Sequence, residues 1–432
     1  MAGWLRWPAQ RRRPLDGRAE GRDTAITRRS LPAPADELEH RLLTHKPPGL
    51  ADLGLPPELV RPDYTRSIAN LPATVAALLG ASLPGALPAL PEAWWDPLAP
   101  GVERVVLLIL DAVGWLHFCQ HLAQEGGSVF QRLAGQGCLL PINSIFPGTT
   151  TVALTSLWTG HAAAGHGLVG HDLFFPSLGM MVDTLGFTPA GEPRDERLIA
   201  GGLEPEALVP VPGLAQLLAG QEISTQVLIH RSFAGSGLSR LQFRGVNRVD
   251  GFVSTADLCV ALRDRLSVRR DERRLLAAYW ANMDTIGHLR GPVSAPWQAE
   301  LRNLAFSLER DFWQELPQAG RRGTLLVITA DHGQIPAGPE GVVCLDAHPE
   351  LGQALLMPPA GGPRAAYLRA RPSALPALRD YVTSLMADRF TVLDSQAALA
   401  AGLLGHVTPA SEAALRLDDL MLIGRDSNAL DW

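Results

Sequence analysis

Lysine is almost missing from this chain: Lys46 is the only one, and arginine supplies the rest of the 38 basic residues. That is a bias of composition and carries no function by itself. Cysteine is scarce too, with Cys119, Cys138, Cys259 and Cys344 scattered and no CxxC spacing. This excludes a disulfide scaffold and a cysteine zinc ribbon, and favours a reduced compartment. No stretch of about 18 consecutive apolar residues occurs, so no transmembrane helix is expected. The arginines of the N-terminus are not followed by an apolar run of about 7–15 residues, the mark of a secretory signal. A cytoplasmic setting is the resulting expectation. The net charge is −6, although residues 1–30 hold eight arginines against Asp16, Glu20 and Asp23. The body is therefore more acidic than the whole. Nucleic-acid binding as the main activity is not expected, because affinity there rests on neutralising phosphates.

What is present is enough chain for a large core. The 432 residues are 46% hydrophobic and 19% charged, ordinary for a globular protein. Residues 1–60, rich in Arg, Pro and Gly, read as a poorly ordered tail and linker, with the folded domain spanning 61–432. The core begins at 104–110, "RVVLLIL", a continuous apolar run too short for most helices and suited to a buried parallel strand. Similar runs follow at 223–229, 274–281 and 324–330. Helical patterns lie between them at 115–134, 256–266 and 297–315. Strands alternating with helices predict an α/β fold, a mainly parallel sheet with helices on both faces. Segments 166–215 and 231–252 are Gly-rich and irregular, and are expected to form a small cap or insertion over the site.

In such sheets ligands gather at the carboxyl ends of the strands. Three of the four runs lead straight into metal-capable residues there: Asp111 after the first, Asp284 and His288 in "MDTIGH" after the third, and Asp331–His332 in "ADHG" after the fourth. A lone Asp at a strand end is usually a turn or helix cap. Two Asp/His clusters at two strand ends are harder to explain that way, since burying so many ionisable groups without a cation or partner is costly. Asp and His together suit Zn²⁺ or Mn²⁺. Between them lies "FPGTTTVALTSLWTG", where Thr149, Thr150 and Thr151 open a helical pattern. A helix N-terminus favours anions through its free N–H groups and dipole. A plain threonine cap would look the same.

The ordered set of Asp111, "FPGTTT…TG", "GHGLVGH", "DTIGH" and "ADHG" resembles the alkaline phosphatase superfamily over about residues 100–410. Within it the set is similar to the type I phosphodiesterase/nucleotide pyrophosphatase branch. The resemblance implies a hydrolase of phosphate esters, acting on diester or pyrophosphate bonds of small molecules such as nucleotides, through a phosphothreonine intermediate. A monoesterase or phosphonate hydrolase of the same superfamily is the alternative, and a non-catalytic binding relative a more distant one. It implies two divalent ions, zinc or manganese. One would be held by Asp111, Asp331, His332 and the nucleophile, the other by Asp284, His288 and a third histidine. His406 is the candidate for that last place, with His348 the alternative. Counting nine residues back from Thr159, as the branch pattern implies, gives Thr150 as nucleophile, with Thr149 next to it as the alternative. His166 and His171, in the Gly-rich loop, either line the pocket or make local hydrogen bonds.

Overall fold

The computed structural model describes residues 33–46, 53, 55, 61–268, 272–407 and 412–432. Five parallel strands form the central sheet: β1 (Arg104–Leu110), β2 (Ser224–His230), β3 (Arg248–Phe252), β4 (Arg274–Trp280) and β5 (Thr324–Thr329). Their order is β3-β2-β4-β1-β5. β1 is buried along its whole length, as its unbroken apolar sequence requires. Its side chains alternate between two cores. Val105, Leu107 and Ile109 meet the helices Leu71–Leu78 and Thr150–Thr159 through Val75, Val152 and Leu157. Val106, Leu108 and Leu110 face the helices Thr255–Ser267 and Ala295–Ser307, against Leu262, Trp297 and Leu301. Helices on both faces follow from this two-sided burial.

Register sets the site. Leu110 pairs with Trp280, and Ile109 with both Tyr279 and Thr329, so the three central strands stop at one level. The loops and helix that follow them share one end of the sheet.

Four strands match the sequence reading to within a residue. β3 does not, because it lies in the segment 231–252 expected to be irregular. It is a sheet edge with three of its five residues exposed, so its sequence shows no apolar run. In the region 166–215, expected to be irregular, the strands Asp172–Phe175, Met180–Asp183 and Thr188–Pro189 join four strands from residues 360–424 in a seven-stranded antiparallel sheet. The seam is glycine against glycine: a Cβ on Gly170 would lie 2.5 Å from the Gly361 Cα. The helical pattern 115–134 is two helices, Trp115–Gln124 and Val129–Gln136, broken where Gly127 takes φ +76°. Within residues 1–60, read as tail, the structure forms a helix at Ala33–Leu43 that buries Ala35, Leu38 and Leu42. Residues 1–32 lie outside the described set.

Candidate active site

Asp111 is the first residue beyond β1, and its N–H donates to the Trp280 carbonyl at 3.0 Å. One carboxylate oxygen, Oδ2, accepts from the Tyr279 hydroxyl; the other, Oδ1, is buried with no hydrogen-bond partner. Asp331 stands two residues beyond β5 and is fully buried. Its Oδ1 accepts from the N–H groups of Ala112 (3.1 Å) and His332 (2.8 Å), which leaves Oδ2 without a partner. The two loops approach this closely because both turn on glycine. A Cβ on Gly114 would fall 2.9 Å from the Gly333 Cα.

His332 fixes its own tautomer. Its Nδ1 is 3.0 Å from the Gly333 carbonyl oxygen, which can only accept, so Nδ1 carries the proton. The bare Nε2 then faces Thr150 Oγ1 at 3.1 Å, Asp111 Oδ1 at 3.4 Å and Asp331 Oδ2 at 3.6 Å. Two unpartnered carboxylate oxygens and an imidazole lone pair thus converge on one point. Lone pairs arranged in this way repel unless a cation stands among them. Asp111, Asp331 and His332 are the one group among the described residues whose ligand atoms all lie within 4.8 Å of one another. The donor set fits a divalent metal. The crowding of like charge shows in Asp111, whose carboxyl is held well above the usual range by burial first and by the charges of Asp331 and Asp284 next. Burial likewise pushes the Tyr279 phenol up.

Thr150 is the first residue of the ten-residue helix Thr150–Thr159, so its hydroxyl sits beside the free N–H groups of the first turn. Thr149, the alternative nucleophile, caps the helix with its backbone, and its hydroxyl is buried without a partner.

Asp284 and His288 lie one turn apart on the helix Asn282–Arg290 that follows β4. His288 Nε2 is 3.3 Å from Asp284 Oδ1. Burial pushes the Asp284 carboxyl up, but the hydrogen bond and charge of His288, the charge of His332 and the hydrogen bond from Gln334 together outweigh it, and the group ends below the ordinary range. The same hydrogen bond raises His288. Both side chains line one cavity of about 820 Å³ together with Thr150 and His332. His171 lines it as well, with Nδ1 3.0 Å from Thr151 Oγ1. Burial lowers this imidazole to about 4, so it is neutral at pH 7. His166 turns away into the core, bonded to Ser156.

The histidines expected to complete the second cluster are elsewhere. His406 is exposed, just beyond Gly402 and Gly405, and is not among the side chains lining the cavity. His348 is also off the cavity and pairs with the Tyr381 hydroxyl at 2.9 Å. Two residues of the site carried no signal in the sequence, Tyr279 and Gln334. Tyr279 read as a strand residue. Gln334, next after "ADHG", donates from Nε2 to Asp284 Oδ1 at 2.8 Å.

The sequence matches the family described as type I phosphodiesterase/nucleotide pyrophosphatase over residues 105–192 and 222–426, well over half of the chain. The chain belongs to that family. Membership in the type I phosphodiesterase/nucleotide pyrophosphatase family makes it a hydrolase of phosphoester-type bonds. Among solved structures it is similar to murine ectonucleotide pyrophosphatase/phosphodiesterase 5, with 14% identity, a TM-score of 0.57, and coverage of 76% of this chain and 80% of that one. An inactive form of that murine protein, in complex with AMP, is similar at a TM-score of 0.55, with 14% identity and coverage of 76% and 80%. Phosphonoacetate hydrolase from Sinorhizobium meliloti 1021, in complex with phosphonoformate, is similar at 17% identity and a TM-score of 0.55, with coverage of 77% and 83%. At these identities the likeness speaks for the fold alone. No curated protein matches the chain by sequence. Among the described residues no helix is long and apolar enough to cross a membrane, and all four cysteines are free.

Proposed function

We propose that this chain hydrolyses phosphodiester or pyrophosphate bonds of small molecules, with Thr150 as the nucleophile. The observation that carries the reading is the Thr150 hydroxyl set 3.1 Å from His332 Nε2, at a helix N-terminus, beside the unpartnered oxygens of Asp111 and Asp331. Asp111, Asp331, His332 and Thr150 would hold one divalent cation; Asp284 and His288 would hold a second, with zinc favoured by the Asp/His donor set. When bound, such ions neutralise developing charge and lower the pKa of oxygens near them. The chain's own groups do the rest. Thr150 Oγ forms the bond to phosphorus while the bond to the leaving oxygen breaks, giving a phosphothreonine and an alcohol or phosphate product. Water then cleaves the phosphothreonine and returns the hydroxyl. First-turn N–H groups of the helix Thr150–Thr159 face the phosphoryl oxygens. His171, neutral and half-buried, serves as a hydrogen-bonding wall and adds no charge.

Cavity size favours a diester over a small phosphonate. About 820 Å³, with Trp115, Phe146 and Ile335 in the wall, suits an organic group on each side of phosphorus. Comparing turnover of a bis-aryl phosphate, a mono-aryl phosphate and phosphonoacetate tests this; faster turnover of either of the last two overturns the diester reading. Thr150→Ala is expected to keep its bound metal and lose activity by a factor on the order of 10³ or more. Metal content and rate, measured on the same sample, check it. Full activity in that variant would require another nucleophile.

A further inference from the structure

Gln334 has no part in the ligand sets above, yet it is the side chain that joins them. It belongs to the turn after β5 that carries Asp331 and His332, and it reaches across to the helix after β4. Its Nε2 donates to the Asp284 carboxylate at 2.8 Å and to the Asp284 carbonyl at 3.2 Å. Both acceptors lie on one residue of the other cluster, so the amide orientation is fixed by chemistry: only its NH₂ end can serve both. The opposite end, Oε1, is buried without a partner. It lies flat on Gly287, where an added Cβ would stand 1.6 Å from it. The helix Asn282–Arg290 thus lacks a side chain at the place where the Gln334 amide crosses it.

We infer that Gln334 is a positioning residue that couples the two cation sites. Asp284 Oδ1 receives the Gln334 amide at 2.8 Å and faces His288 Nε2 at 3.3 Å, so the amide fixes how this carboxylate stands toward its histidine partner. Because the same turn carries Asp331 and His332, an ion held there fixes the turn from which Gln334 reaches Asp284. The Asp111/Asp331/His332 site, with its ligand atoms already converged, loads first. This rests on the two-cation reading above.

The test uses the full-length chain, stripped with a chelator and titrated with Zn²⁺, with ions per chain counted by elemental analysis and affinities taken from the isotherm. Wild type is expected to take up two ions. Gln334→Met, of equal length but without the donor, is expected to bind the first ion as wild type does and the second about 10- to 100-fold more weakly. Gly287→Ala, which displaces the amide from the other side, should give the same isotherm. The double variant should be no worse than either single one. The metal-free melting temperature, read in parallel, separates this selective loss from a general loosening of the fold. Two ions bound with wild-type affinities by Gln334→Met, or equal weakening of both, overturns the coupling and leaves the two-cation reading intact. A wild-type chain that takes up fewer than two ions overturns both.

Discussion

Asp111 is a side chain that costs the fold stability and that the proposed reading uses for binding. It is buried, one oxygen has no partner, and Asp331 and Asp284 add like charge. A carboxyl whose folded value is raised is stabilising below its ordinary 3.8, and that contribution is lost as pH rises through the raised value. Stripped of metal, the protein should therefore lose stability from this group as pH climbs across that window. Asp111→Asn keeps an acceptor for the Tyr279 hydroxyl and removes the charge. In metal-free protein at pH 7–8 it should melt at least about 2 °C higher than wild type while binding less metal. Calorimetry with and without chelator checks both parts. Equal or lower melting temperature would mean that the fold does not raise the Asp111 carboxyl. At this scale the sequence was most legible, since Asp111, Asp284 and Asp331 each follow a strand readable as a continuous apolar run. His406 and His348 were not legible, because no strand end fixes where those two histidines point.

Between residues and the whole chain stand the two turns that follow β1 and β5. Register brings the strands level, but contact between the turns depends on Gly114 and Gly333, whose backbones meet where side chains would stand. A methyl on Gly114, 2.9 Å from the Gly333 Cα, must push the turns apart, and with them Asp111 from Asp331 and His332; one on Gly333 meets the Gly114 Cα at 3.1 Å and asks for less. Gly114→Ala is expected to weaken the first cation site on the order of 10- to 100-fold, with the fold retained. A metal titration alongside a circular dichroism spectrum separates the two effects, and unaltered affinity would show that the turns can give way. Strands were readable where their apolar runs are unbroken, β5 included although it is a half-buried edge. β1 and β4 are covered on both sides and announce themselves. β3 is an exposed edge, and the strands near residue 172 pair with partners near residue 361, a distance in sequence that no local pattern records.

For the molecule as a whole, the sheet and the loops at its carboxyl end deliver the chemistry, while part of the wall around it comes from farther upstream. The helix Ala33–Leu43 places Glu39, Leu42 and Leu43 on the cavity, and the Glu39 carboxylate accepts from the Trp115 indole N–H at 2.8 Å. A chain beginning at residue 61 should still load metal. It should also melt lower, since burying a leucine such as Leu38 or Leu42 is worth about 1.5–3 kcal/mol. Its KM for a bis-aryl phosphate should rise roughly tenfold, about 1.4 kcal/mol of lost contact, with a smaller change in kcat. Steady-state kinetics on both lengths decide it, and an unaltered KM would show that the helix touches no substrate.

The stretch that matches the family opens at residue 105, some sixty positions after that helix closes. Part of the cavity wall thus comes from chain outside that stretch. Under the proposed reading, substitutions near residue 40 reshape what the cavity admits while Thr150 and the carboxylates and imidazoles around it stay as they are.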